Sequence, residues 1–292
     1  MKSGPDFICI GSQKAGTGTL YNILRAHRDC SMPRIKELHY FDLQSETRIF
    51  TRVTQRLERL KRKAAQKSGF ENHARFVDIY LDAALNGRTD VETYRRMFDT
   101  INDRVTGDVT PFYAILPEDK VAGIAAGLPE VKILYVIRDP VSRLWSHARM
   151  LAERSGRPIT SDLRTFAQFC DWDDVKARSL QSRTIRLWRE HFGDRLHILF
   201  FDDLRDRPEE YLAQVATILG IGGNPDDTSS DLHENRKAKP SEPMPDDIRR
   251  HAREVMREEY EQLADLAGGH AKEWLEKVSR PRVAVAGAPA AT

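Results

Sequence analysis

The stretch that most narrows the fold lies near the start of the chain, where the apolar run Phe7-Ile8-Cys9-Ile10 passes into Gly11-Ser12-Gln13-Lys14-Ala15-Gly16-Thr17-Gly18-Thr19. The run reads as a buried strand, and a helix is predicted from Thr17 to His27 with Leu20, Ile23 and Leu24 on one face. A glycine-rich turn between strand and helix lets backbone N–H groups converge on one spot. The partly positive N-terminus of the helix aims at the same spot. Gln13 to Thr19 is therefore read as an anion cradle, with Lys14 as its cation.

The spacing of this loop also says what it is not. In the triphosphate-binding pattern G-x-x-x-x-G-K-[ST], the lysine follows the second glycine and the next hydroxyl holds magnesium. Gly11 and Gly16 keep that glycine spacing, but Thr17 fills the lysine slot and Gly18 the metal-ligand slot. The lysine has moved forward to Lys14. The loop is expected to hold a terminal 5′-phosphate and to set an ammonium beside the reacting bond, without a metal ligand of its own. A plain strand-to-helix turn is the simpler alternative, and the clustering of Lys14, Thr17 and Thr19 around the glycines argues against it.

Beyond this first unit, strand and helix patterns alternate. Strands are predicted at Arg104–Val109, Val131–Ile137 and Leu196–Phe201. Helices are predicted at Pro117–Ala126, Val141 to Glu153, Lys176–Phe192, Pro208–Leu219 and Ile248–Leu275, the last broken at Gly268-Gly269. Alternation of this kind gives an α/β fold, here a P-loop-like three-layer α/β/α arrangement around a central, mainly parallel sheet. Residues 1–280 are read as a single domain, and the Ala/Pro-rich residues 281–292 as a disordered tail. Between Thr47 and Gly69 a basic helix pattern sets Arg48, Arg52, Arg56, Arg59, Lys61, Arg62, Lys63 and Lys67 against Ile49, Phe50, Val53, Leu57 and Leu60. The favoured reading is a solvated helix covering the core. The other is a contact surface at residues 48–67 for an acidic acceptor or for anionic lipid headgroups, as in peripheral membrane contact.

Bulk properties exclude several classes of function. Lys and Arg total 46 against 44 Asp and Glu, a net charge of +2, so no chain-wide field favours nucleic acid as a partner. Cys9, Cys30 and Cys170 fit no metal or CxxC spacing and read as reduced thiols of a cytoplasmic protein. The first strand begins so early that no signal peptide is expected, and no apolar run approaches the roughly 20 residues of a membrane span.

A second constellation follows the strand at Val131–Ile137. There Arg138-Asp139-Pro140 leads into a helix that carries Arg143 and Ser146. Ligands of open α/β sheets bind beyond the carboxyl ends of the strands, where Arg138 emerges, and its planar fork suits a phosphate. The two constellations together resemble the sulfotransferases. Lys14-Ala15-Gly16-Thr17-Gly18-Thr19-Leu20 is similar to their 5′-phosphosulfate loop, and Arg138, Asp139, Pro140, Arg143 and Ser146 to their 3′-phosphate motif R-[DN]-P-x-x-R-x-x-S. The resemblance implies 3′-phosphoadenosine 5′-phosphosulfate (PAPS) as co-substrate, 3′-phosphoadenosine 5′-phosphate (PAP) as product, no metal, and a hydroxyl-bearing acceptor: a glycan, a lipid headgroup or a small natural product.

Other segments extend the likeness. Glu37, His39 and Asp42 match the E-x-H-x-x-D segment of the heparan-type carbohydrate sulfotransferases, in which the glutamate is the base. An acceptor hydroxyl must lose its proton as it attacks sulfur, and either Glu37 or His39 could take it, with Asp42 orienting the partner or the sugar. Gly107-Asp108-Val109-Thr110-Pro111-Phe112-Tyr113 resembles the strand-end motif that lines the acceptor side, which implies Asp108 and Tyr113 as substrate contacts. Arg236, Lys237 and Lys239 resemble the late basic loop that closes over the donor. Where many relatives carry Gly-x-Tyr ahead of the tryptophan of the long helix, Ser179-Leu180-Gln181 precedes Trp188, a departure that leaves an acceptor contact there open. A nucleotide kinase and a non-catalytic nucleotide-binding module are the alternative functions.

Overall fold

In the computed structural model, the residues described are 3–43, 48–64, 71–101, 103–222 and 243–280. Four strands form one sheet: β1 (Phe7–Gly11), β2 (Gly107–Val109), β3 (Lys132–Ile137) and β4 (Leu196–Phe200). Their order is β2-β1-β3-β4, and every pairing is parallel. Parallel strands buried on both faces read as unbroken apolar runs, as Phe7–Ile10 and Ile133–Ile137 do.

Alternate side chains of β1 point to opposite faces, and each face has its own core. Ile8 and Ile10 join Ile133, Tyr135 and Ile137 in the larger one. Phe7 and Cys9 join Leu134, Val136 and Leu199 in the smaller one, under α1 (Thr17–Ala26) and α11 (Pro208–Leu219). This is the three-layer arrangement expected from the sequence. The chain leaves β1 for β2 on one side, then crosses back to β3 on the other. That reversal opens a crevice at the carboxyl ends of β1 and β3, the switch point at which open sheets bind ligands.

The larger layer holds α2 (Arg48–Ala64), α3 (Glu71–Leu85), α4 (Val91–Asp99), α5 (Glu118–Gly127), α6 (Pro140–Ser155), α7 (Leu163–Cys170), α8 (Asp173–Ser179) and α9 (Gln181–Phe192). The short α10 (Phe201–Asp206) follows β4, and α12 (Asp246–Val255), α13 (Arg257–Ala267) and α14 (Gly269–Ser279) complete the described chain. Two predicted helices differ from expectation. The Lys176–Phe192 pattern is interrupted at Leu180, and the Ile248–Leu275 pattern breaks at Met256 as well as at Gly268. Helix α2 buries Val53 and Leu57 in the core, with Phe50 and Leu60 packed against it, as a covering helix should. Arg236, Lys237, Lys239 and the residues 281–292 lie outside the described residues.

Candidate active site

The glycine loop is fixed by its neighbours. Ser12 donates its N–H to the Val136 carbonyl at 2.6 Å, tying the loop's start to β3. Gly16 adopts φ +83°, and a Cβ there would lie 2.6 Å from Leu204 of α10, so no other residue fits this turn without displacement. Helix α1 then begins with no side-chain cap. Its first-turn N–H groups are left for an external acceptor, which is the arrangement that binds anions. Gln13 contributes a buried Oε1 that has no hydrogen-bond partner in the structure. Burial lowers the pKa of the Lys14 ammonium, and the nearby Arg138 charge lowers it further. Both groups gain by the arrival of an anion.

Arg138 leaves the end of β3 and donates Nη1–H to the Lys14 carbonyl at 2.7 Å, so the second motif braces the first. Its guanidinium lies 4.5 Å from the ring centre of Phe201. Gln181 is wholly buried and joins the two: its Oε1 accepts from Ser12 Oγ at 3.2 Å and from Arg138 N at 3.0 Å, and its Nε2 donates to Arg138 O at 2.8 Å. Arg143, also fully buried, donates to Ser179 Oγ at 2.6 Å. The residues that replace Gly-x-Tyr thus brace the glycine loop, the end of β3 and Arg143.

A cavity of about 810 Å³ opens at this point. Gln13, Lys14, Gly16, Thr17, Gly18, Thr19, Arg138 and Ser146 line one part, and Glu37 and His39 another. Ala15 is fully buried behind the loop. The segment carrying Glu37 is pinned by its backbone: Glu37 N donates to Val109 O at 3.1 Å, Tyr80 Oη to Leu38 O, and Tyr40 N to Tyr113 Oη at 2.9 Å. Glu37 and His39 take φ of +61° and +56°, and Lys14 takes +73°. These are the only non-glycine residues with positive φ among the described residues. Such backbone is costly for residues with long side chains and persists where the surroundings over-determine it, often at functional sites.

Charges in this segment are ordered. Lys36 Nζ lies 3.0 Å from Glu37 Oε1, and 3.4 Å from where a Cβ on Gly18 would be, so one ammonium spans the loop and the carboxylate. His39 Nδ1 pairs with Asp42 Oδ2 at 2.7 Å, while His39 Nε2 stands 3.9 Å from Glu37 Oε2, an ion-pair rather than a hydrogen-bond distance. Burial pushes the Glu37 carboxyl up, but the His39 and Lys36 charges outweigh it and hold it at about 2. Burial pushes His39 down, and the Asp42 and Glu37 carboxylates overcome it and raise it to about 9. At neutral pH Glu37 is therefore a carboxylate and His39 an imidazolium.

Two expected substrate contacts are placed differently. Asp108 and Tyr113 are buried behind the cavity wall. Asp108 accepts from Tyr94 Oη at 3.1 Å and Thr110 Oγ1 at 2.7 Å, and burial raises its pKa to about 6. With Tyr113 holding Tyr40, they form a strut under the Glu37 segment. Pro111 and Phe112 of the same motif reach the cavity instead. Phe112 packs edge-on to His39 at 4.7 Å and under the Arg178 guanidinium at 3.7 Å. The sequence reading missed Lys36, Phe112 and Arg178. Lys36, adjacent to Glu37, and Phe112, inside the Gly107–Tyr113 motif, are the two whose positions offered a signal.

A parallel sheet with an uncapped helix N-terminus, a lysine and an arginine at its switch point, and a carboxylate across the cavity defines a nucleotide-using group-transfer protein. The chain belongs to the sulfotransferase family, whose model matches residues 5–225. It is a PAPS-dependent sulfotransferase. Among solved structures, the sulfotransferase from Alicyclobacillus acidocaldarius shares 21% identity at a TM-score of 0.60, over 92% of this chain and 98% of that one. The mouse sulfotransferase SULT7A1 complexed with PAP shares 12% identity at 0.54, over 94% and 89%. The sulfotransferase domain from the curacin biosynthetic pathway shares 14% at 0.52, over 87% and 97%. At these identities they attest the fold. No curated protein sequence matches the chain.

Proposed function

We propose that this enzyme transfers the sulfuryl group in line, with Lys14 as the catalytic cation and Glu37 as the base, to an acceptor hydroxyl in the 810 Å³ cavity. The observation that carries the reading is the positive φ shared by Lys14 of the glycine loop and by Glu37 and His39 of a separate segment, all of which line one cavity. The residues fit the donor. The uncapped first turn of α1 and the hydroxyls of Thr17 and Thr19 suit the 5′-phosphate, and Arg138 with Ser146 suits the 3′-phosphate. The donor supplies a sulfuryl group on a good leaving group. Lys14 stabilises charge developing on the departing oxygen. Glu37 accepts the hydroxyl proton while His39, held by Asp42, orients it. Gly18 in the metal-ligand slot supports a mechanism without magnesium.

Lys36 is the adjustable part. It pairs with Glu37 in the structure described and lies close enough to the loop to turn toward a bound phosphosulfate, which would release Glu37 to act as a stronger base. The acceptor belongs to the hydroxyl-bearing class that the Glu37 segment serves in the heparan-type enzymes. No helix among the described residues is long and apolar enough to cross a membrane, and all three cysteines are free and buried, which supports a cytoplasmic setting.

Calorimetry with PAP and with ATP, each with and without magnesium, tests the donor site: PAP should bind in EDTA and ATP should gain nothing from the metal. Lys14→Ala should lose about 2 to 3 orders of magnitude in turnover, the cost of one oxyanion donor. Near-wild-type turnover would overturn its role. Glu37→Gln should abolish transfer while PAP affinity is retained. Arg138→Ala should weaken PAP about 10- to 100-fold, as loss of charge-assisted bonds does.

A further inference from the structure

The cavity has more positive charge than the donor cradle and its ion pairs use. Arg178 is neutralised by Asp174 through paired contacts of 2.9 Å, and Lys36 by Glu37 at 3.0 Å. Lys14 and Arg138 belong to the loop and to the end of β3, at the donor end. Arg154, on α6, also lines the cavity, and its charge acts on Lys14 at the donor end; Arg52 and Arg56 remain. They come from α2, one helical turn apart on the edge of its buried Val53–Leu57 stripe, and both line the cavity. Among the described residues neither forms an ion pair with a carboxylate. Arg56 Nη1 reaches the backbone carbonyl of Lys36 at 3.4 Å, which sets it beside the segment that carries Glu37.

Two guanidinium groups without carboxylate partners, in the cavity that also holds Glu37, form a fork for an oxyanion. We infer that Arg52 and Arg56 select an acceptor that carries a carboxylate, phosphate or sulfate beside the hydroxyl to be sulfated. This rests on the proposed function and adds the charge of the substrate to it. A neutral acceptor would leave both cations in the cavity without an anionic partner. An anionic one supplies the missing partner and is drawn toward the positive cleft before it docks. Lys61 of the same helix is already paired with Asp78, and Arg59 and Arg62 lie on its exposed surface, so the cleft-facing pair is distinct from the general basicity of α2.

The test uses the full chain saturated with PAP, so that the donor site is filled. Three probes are titrated: a tetrasaccharide of glucuronate and N-acetylglucosamine, the same tetrasaccharide with its carboxyls reduced, and sn-glycerol 3-phosphate as the lipid-headgroup form of the same chemistry. The uronate form should bind about 10-fold or more tighter than its reduced counterpart, and the double variant R52A/R56A should abolish the difference. R52E/R56E should reverse it, while Arg59→Ala and Arg62→Ala leave it intact. Tight binding of glycerol phosphate lost in the same variants would support the inference and identify phosphate as the preferred oxyanion. If the charged and reduced probes bind alike, or if the preference survives in R52A/R56A, the inference is overturned. Failure of PAP itself to bind would instead overturn the donor site.

Discussion

At the scale of single residues, the Glu37–His39–Asp42 set converts one carboxylate and one imidazole into groups of opposite charge at neutral pH. The His39 pKa, raised to about 9, means that its contribution is complete below the unfolded value of roughly 6.5 and fades as pH rises through 9. The Glu37 pKa, lowered to about 2, means that its contribution is complete above the ordinary carboxylate range and is lost only as pH falls toward 2. Turnover should therefore hold through neutral pH and decline above about pH 9, where His39 ceases to orient Glu37. His39→Asn should lower kcat and remove that basic limb from the kcat/KM profile. A limb unchanged in the variant would show that another group titrates there. Lys36→Met should raise the Glu37 pKa, moving the acidic limb upward while turnover falls.

At the scale of elements, α9 shows why part of the site was not legible in the sequence. The apolar spacing of Lys176–Phe192 is continuous, so a local reading gives one helix. The structure breaks it at Leu180, because Ser179 is held by Arg143 and because Glu259, far along the chain, accepts from both N and Oγ of Ser182 at 2.8 and 2.6 Å. Those contacts turn Gln181 inward, where it joins Ser12 to Arg138. What a motif carries locally was readable: the strand, glycine loop and helix of residues 7–26, and the arginine at the end of β3. What distant elements assemble was not, which is why Asp108 and Tyr113 read as substrate contacts although Tyr94 and Tyr40 had already engaged them. Gln181→Ala should orphan a buried N–H and C=O at Arg138, costing about 1 to 3 kcal/mol for each group left unpaired, and should weaken PAP as well. Leu180→Ala, at a position 40% exposed, serves as the control. Denaturant unfolding and PAP titration of both variants check this, and equal PAP affinity in the two would remove Gln181 from the donor site.

At the scale of the whole molecule, the proposed donor site depends on the crossing from β2 back to β3, which sets β1 and β3 side by side and brings Lys14 and Arg138 into contact across the switch point. A nucleotide that bridges both motifs binds only when the two strands are paired, so its affinity for the folded chain appears directly as stability. At a concentration of 100 times its Kd, PAP should add about 2.7 kcal/mol. For a chain of this size that is a rise in Tm of about 4 °C. The shift should be the same in EDTA as in magnesium, because Gly18 occupies the position from which a triphosphate loop holds its metal. It should shrink in Arg138→Ala, which cuts the bridge at β3, and persist in R52A/R56A, whose side chains face the acceptor. Thermal unfolding of the three proteins with and without PAP separates the two ends of the cavity in one experiment. A stabilisation lost equally in both variants would mean that the α2 arginines hold the donor.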